Sequence, residues 1–225
     1  MRARTTCVAV VALLLFPSWA WCQSTLSPHA AAGGAPQAAA DDTAVRSWAF
    51  AGSLFGYFLA HDSDYAQPTV TADHNRLHLE ARYNYEALRT GSAWVGYNFS
   101  GGRTLTWELT PIVGGVFGDV SGVAPGYKAS LAWGRLECSS EGEFVIDTGD
   151  SSQSFFYTWS ELSFAPLDWF RAGLVVQRTR AYRSDLDIQR GILLGVAFKS
   201  IDVTAYVLNP DESRPIVVVA VAVKF

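Results

Sequence analysis

Residues 76–86 constrain this chain more than any other stretch. Leu77, Leu79, Ala81, Tyr83 and Tyr85 take every second position, and Arg76, His78, Glu80, Arg82, Asn84 and Glu86 take the positions between. Wound as a helix, the two sets would scramble around the axis. On a strand, successive side chains point to opposite sides, so the sets separate completely. The pattern recurs. Val95, Tyr97 and Phe99 alternate with Trp94, Gly96, Asn98 and Ser100, and Leu105, Trp107 and Leu109 with Thr104, Thr106, Glu108 and Thr110. Tyr127, Ala129, Leu131 and Trp133 alternate with Lys128, Ser130, Ala132 and Gly134, and Val217, Val219, Val221, Val223 and Phe225 with Ala220, Ala222 and Lys224. No stretch forms a convincing amphipathic helix of useful length, so the fold class is all-β.

Eleven strands are predicted, at 47–59, 75–87, 92–100, 103–113, 127–137, 142–148, 154–164, 170–182, 188–198, 202–208 and 215–225. Most approach the roughly 9–11 residues that a tilted strand needs to cross a bilayer. Tight connectors (100–103, 165–168, 199–201) alternate with longer polar ones (61–74, 209–214), as in spanning barrels with short turns on one rim and loops on the other. A single-chain bacterial barrel needs an even count, so the expectation is ten or twelve antiparallel strands. The discrepancy is expected around 111–126 or 141–154. A hydrophobic share of 49% excludes disorder, and a net charge of −4 argues against a general nucleic-acid partner.

The N-terminus reads as a targeting segment. Arg2 and Arg4 precede an apolar run from Cys7 to Phe16, then Pro17 and small residues around Ala20. This is the secretory signal pattern, too short to span a bilayer. The expected organisation is therefore a signal peptide at 1–22, a flexible Ala/Gly/Pro-rich leader at 23–46 and a barrel at 47–225. Loss of 1–22 removes Arg2 and Arg4 and no acid, which takes the net charge from −4 to −6. It also removes Cys7 and Cys22, leaving Cys138 alone, so the exported fold is expected to hold together without an internal disulfide.

Alternation alone does not separate a membrane barrel from an exported soluble sandwich or lipocalin-like barrel, in which the apolar face would fill the core. Three features favour the membrane. The polar face is consistent while total charge is low, at 17%. Aromatics lie near strand ends, at Tyr83, Tyr85, Tyr97, Phe99, Trp133, Phe164, Trp169 and Tyr182. The chain also stops at Phe225 with hydrophobics at alternate positions before it. That ending, the signal segment and the turn–strand pattern from Asp187 onward resemble bacterial outer-membrane β-barrel proteins of the porin-like kind. The resemblance implies residence in the bacterial outer membrane, contact with outer-membrane lipids and lipopolysaccharide, and recognition of the strand ending at Phe225 by the outer-membrane assembly machinery.

In such a barrel the polar faces line the interior. The residues expected there are Arg76, His78, Glu80, Arg82, Glu86, Asn98, Glu108, Lys128 and Glu161, with Gln177 as a further inward position. Opposite charges interleave, so they can form either a hydrophilic lumen or a salt-bridged plug. The expected function is a passive pore or narrow channel for small hydrophilic solutes, without enzymatic activity, cofactor, metal or catalytic residue. Two alternatives stand beside it. One is a closed structural or adhesive barrel working through the 61–74 loop, and the other an outer-membrane lipid or peptide hydrolase. His61, Asp62, Asp64, Asp73 and His74 are the residue types that could serve the hydrolase or hold a cation, but a solvated acidic loop is the preferred account of them. The Gly-rich segment 114–126 is read as a bulged hairpin in preference to a constriction. Arg178, Arg180 and Arg183 are read either as rim charge or as phosphate contacts.

Overall fold

The computed structural model of the chain describes residues 48–59, 63–149, 154–181, 187–213 and 215–225. The expected signal and leader segments lie outside that range. The described residues form strands and turns, with no helix among them. The first seven strands are β1 (Ala49–Phe58), β2 (Tyr65–His74), β3 (Leu77–Tyr83), β4 (Thr90–Tyr97), β5 (Phe99–Gly102), β6 (Leu105–Gly118) and β7 (Gly122–Trp133). There follow β8 (Leu136–Asp147), β9 (Phe155–Leu167), β10 (Phe170–Ala181), β11 (Asp187–Phe198), β12 (Ile201–Leu208) and β13 (Ile216–Lys224).

Each strand pairs antiparallel with its neighbours, and the sheet closes where β1 meets β13, from Ala51 opposite Lys224 to Phe58 opposite Val217. The strands β4 and β5 are one stave of the barrel. Gly96 stands opposite Ile112 and Phe99 opposite Leu109, which is a single unbroken register along β6. That register puts Tyr97 opposite Pro111, whose ring leaves no N–H for the ladder. The result is a closed antiparallel barrel of twelve staves.

Twelve is the larger of the two expected counts, but the missing strand is not where the sequence pointed. It is β2, inside the segment expected to be a long loop. Its inward face carries Tyr65, Gln67, Thr69, Thr71 and Asp73, and its outward face Ala66, Pro68, Val70, Ala72 and His74. Small or proline side chains on the lipid side leave little hydropathy contrast, so the period is faint. The Gly-rich segment is mostly strand: β6 runs to Gly118 and β7 starts at Gly122, leaving only 119–121 as the turn. Gly114 has a packing reason. A Cβ there would lie 2.4 Å from the Trp94 indole, so its absence lets that ring lie against the β6 backbone.

Five two-residue turns form one rim, at 75–76, 103–104, 134–135, 168–169 and 199–200, and the two ends of the sheet, Ala49 and Lys224, lie on the same rim. Asn75, Gly134 and Lys199 take left-handed φ of 55°, 60° and 55°, which such tight hairpins require. The outer face is apolar. Leu54, Val70, Leu79, Val95, Leu174 and Leu194 are exposed there, and Tyr97, Phe99, Trp133, Phe164, Trp169 and Phe198 ring the short-turn end. Of the aromatics expected in such girdles, Tyr85 instead points inward, and Tyr182 lies outside the described residues. A charge placed on the lipid face should therefore be costly. Val95→Arg is expected to lower unfolding stability in lipid vesicles by about 2–4 kcal/mol, and Val95→Leu by less than about 1 kcal/mol, measured by denaturant titration.

Candidate functional site

The strand period of β3 sends His78, Glu80 and Arg82 into the barrel together. Arg82 is the hub. Its Nε donates to Glu80 Oε1 at 2.7 Å and its guanidinium to Glu143 Oε2, from β8, at 2.7 Å, with Glu86 Oε1 3.8 Å away. The guanidinium is stacked between aromatic rings, 4.2 Å from the Tyr85 centroid and 4.5 Å from that of Trp94. Such a planar cation meets carboxylates and ring faces at once, which an ammonium does less well. Glu86 sits in the β3–β4 connection and accepts from Ser92 Oγ at 2.6 Å, and Ser92 in turn accepts from the Trp94 indole N–H at 2.8 Å. Burial pushes the Glu86 carboxyl above its usual range, with Arg82 and Ser92 pulling the other way.

His78 lies between two carboxylates, with Nδ1 2.9 Å from Asp73 Oδ1 and Nε2 3.0 Å from Glu80 Oε2. Ionised carboxylates only accept hydrogen bonds, so the imidazolium, which donates from both nitrogens, fits this geometry. Lys128 Nζ, from β7, reaches Glu80 at 2.7 Å and Glu141 at 3.5 Å, and the Tyr85 hydroxyl also donates to Glu141. A second polar group lies across the barrel. Glu161 Oε1 accepts from Trp159 Nε1 and from the Tyr206 hydroxyl, each at 2.8 Å. Arg171 stands 3.9 Å from Glu161 and 2.9 Å from Asp202.

His78, Glu80, Lys128, Glu141, Glu161 and Arg171 line a chamber of about 450 Å³, and Arg82, Glu86 and Glu143 lie outside its lining. Its mouth is at the short-turn rim, at Asn75, Ser100, Glu108 and Lys224, and it deepens to Tyr57, Tyr85, Tyr157, Trp159 and Tyr206. Toward the opposite rim apolar side chains pack together around the buried group of Arg82, Glu86, Ser92 and Glu143. Trp94, Ile112, Val116, Ala124 and Val145 form one cluster, and Val175, Leu193, Leu208 and Val218 belong to another. Val145, Leu208 and Val218 have 0% exposure, so the loop-side half of the interior is filled.

His78, Glu80, Arg82, Glu86, Lys128 and Glu161 thus lie inside the barrel, as does Asn98, which donates to Asp73 at 2.7 Å and accepts from Thr110 at 2.7 Å. Glu108 lies at the mouth. Arg76 does not line the lumen. It occupies the β2–β3 turn and donates outward to the Tyr97 hydroxyl at 3.2 Å, because the alternation of β3 begins only at Leu77. Gln177, on β10, faces inward opposite Trp159.

Tyr85, Glu141, Glu143, Arg171 and Asp202 are the lumen residues that the sequence reading missed. Left-handed Asn84, at φ 57°, ends the alternation of β3 and turns Tyr85 inward. Glu137, Ser139, Glu141 and Glu143 recur at every second position, but they alternate with Cys138, Ser140 and Gly142, so no apolar face announces the strand. The alternation of Asp202, Thr204 and Tyr206 with Val203, Ala205 and Val207 is a signal that was present and unused.

The residues of the expected 61–74 loop do not converge. Asp64 accepts from the Leu59 backbone N–H at 3.0 Å, Asp73 and His74 sit on opposite faces of β2, and His74 stacks on Trp48 at 5.0 Å. His61 and Asp62 lie outside the described residues. Among the described residues, no three His, Cys, Asp or Glu side chains are placed to hold a metal ion. Arg178 pairs with Thr158 on the outward side, and Arg183 lies outside the described residues.

No protein-family model and no curated protein matches the chain. Solved structures do resemble it, two of the same porin among them. "KdgM porin" is 12% identical, and "KdgM porin in complex with disordered oligogalacturonate" is 9% identical, each at a TM-score of 0.57, covering 78% of this chain and 99% of the other. OccK5 (OpdH) of Pseudomonas aeruginosa aligns at 9% identity and a TM-score of 0.43, covering 79% of this chain and 66% of that one. The chain has the fold of a porin-like outer-membrane β-barrel. Within that class its architecture is the small, twelve-stave form.

The Arg82 hub carries a direct prediction. Arg82→Leu should destabilise the detergent-folded protein by about 3–5 kcal/mol, because it leaves buried carboxylates uncompensated. Adding Glu143→Gln should recover part of that loss, measured as a double-mutant cycle in guanidinium unfolding.

Proposed function

We propose that the protein is a passive, narrow outer-membrane channel for small hydrophilic solutes. The observation that carries this reading is the polar chamber of about 450 Å³ inside a closed barrel with an apolar outer face. Such a space has room for water and a small solute. The likeness in fold to a barrel titled a porin supports it, at near-complete coverage of that chain. The targeting segment at 1–22 and the terminal strand ending at Phe225 suit export and handling by the outer-membrane assembly machinery, with outer-membrane lipid and lipopolysaccharide around the finished barrel.

The oligogalacturonate named with one KdgM structure is an acidic solute, and the chamber of this chain is lined by carboxylates and basic side chains together. Passage is narrow because the loop-side half is packed with apolar side chains, which must move to admit a solute. That same packing supports a second reading, a closed barrel with a structural task.

Planar-bilayer recording separates the two. Protein shown to be folded and inserted should give discrete, reproducible steps well below those of 16–18-stave porins, whose lumen is an open aqueous channel. Silence from such protein would remove the channel and leave the structural barrel.

A further inference from the structure

The charges inside the barrel do not balance. Arg82 holds Glu80 and Glu143, with Glu86 close by; Lys128 reaches Glu80 and Glu141; Arg171 lies between Glu161 and Asp202; and His78 bridges Asp73 and Glu80. Among the groups that line the chamber itself, five carboxylates (Asp73, Glu80, Glu108, Glu141 and Glu161) face four cations (His78 as imidazolium, Lys128, Arg171 and Lys224), an excess of one negative charge.

The two signs also differ in availability. Arg82, Lys128 and Arg171 are each engaged by carboxylates already, and Lys224 at the mouth lies in the field of Glu108, Glu137, Asp73 and Asp202. Among the described residues, the cations that line the chamber are held by carboxylates, save Lys224 at the mouth and the buried Nε of Arg171. A cation meets exposed Glu108 first, then Asp73 and Glu141, whose side chains keep 36% and 23% of their surface accessible. Beyond them lie the rings of Phe55, Tyr57, Tyr157, Trp159 and Tyr206, and aromatic faces attract cations while excluding anions. Low-dielectric walls focus the field of the excess charge along the chamber.

We infer that the chamber selects cations, and in particular small organic cations bearing primary ammonium or guanidinium groups on an aliphatic body. The inference rests on the channel reading for its transport meaning, but the binding it describes stands independently of conduction.

The test uses the full mature chain, folded in detergent and inserted in a planar bilayer under a KCl gradient. The reversal potential should report preference for K⁺ over Cl⁻ by roughly tenfold. Spermidine added from the short-turn side should block the current, and citrate at the same concentration should not. Glu108→Lys should reduce the preference severalfold. Glu108 is exposed at the mouth and forms no ion pair among the described residues, and far-UV circular dichroism checks that the variant is folded before recording. Equal permeability or preference for Cl⁻ would overturn the inference.

If folded protein is silent, the channel reading fails by itself, and tryptophan fluorescence decides the rest. Saturable quenching or enhancement by spermidine but not citrate, weakened about tenfold by Glu141→Gln, would sustain cation binding. No response to spermidine, or an equal response to citrate, would overturn it.

Discussion

Closure of the sheet is the constraint on which everything else here depends. A bilayer offers no partner for an unpaired N–H or C=O, so a sheet in lipid has no edge to spare. The pairing of β1 with β13, and the continuous register of β4 and β5 along β6, remove both edges. Once the sheet is closed with its apolar side chains outward, period-2 alternation forces the other side chains inward. The buried charges of this protein are thus a consequence of its outer surface. His78, Glu80 and Arg82 are inside because Leu77, Leu79, Ala81 and Tyr83 are outside.

The interior of this twelve-stave barrel divides into two. On the loop side, aliphatic and aromatic groups pack to near-zero exposure, helped by Gly114, which makes room for Trp94. On the turn side, charged groups gather around Lys128 and Arg171, and Arg82, two residues nearer the loop rim than the Glu80–Trp94 pair, carries the network up among the packed apolar groups. Burial of an ion pair is seldom a net gain, since desolvation offsets the attraction. The network here matters for placement: it holds carboxylates at fixed positions around a cavity, which flexible surface charges could not do. Arg82, gripped by rings and carboxylates together, is the piece that fixes most of the others.

Much of this was readable from the sequence where the two faces differ strongly. The strand bearing Arg76–Glu86, the strand ending at Phe225 and the inward set His78, Glu80, Arg82 and Lys128 follow from alternation alone. Legibility fails where the contrast does. In β2 the outward residues are Ala66, Pro68, Val70 and Ala72, so a strand reads as a loop. In β8 the outward Cys138, Ser140 and Gly142 mask a row of inward glutamates. Where turns break phase, residue types no longer tell the side: Arg76 falls into a hairpin and Tyr85 swings inward past Asn84. Which carboxylate meets which cation is set by register between strands distant in sequence, as for Arg82 and Glu143, and no local pattern encodes that.

The account as a whole stands on the direction of the two faces, and adjacent residues of β2 test it best, because sequence alternation says least there. Val70 points outward with 59% exposure, and Thr71 lines the chamber. Nitroxide labels at Val70→Cys and at Thr71→Cys, each with Cys138→Ala, can be compared by power-saturation electron paramagnetic resonance in lipid vesicles. The account predicts that the label at 70 relaxes with oxygen dissolved in lipid, and the label at 71 with a water-soluble nickel complex. The opposite assignment, with the label at 70 shielded from lipid and the label at 71 in contact with it, would contradict the barrel described here.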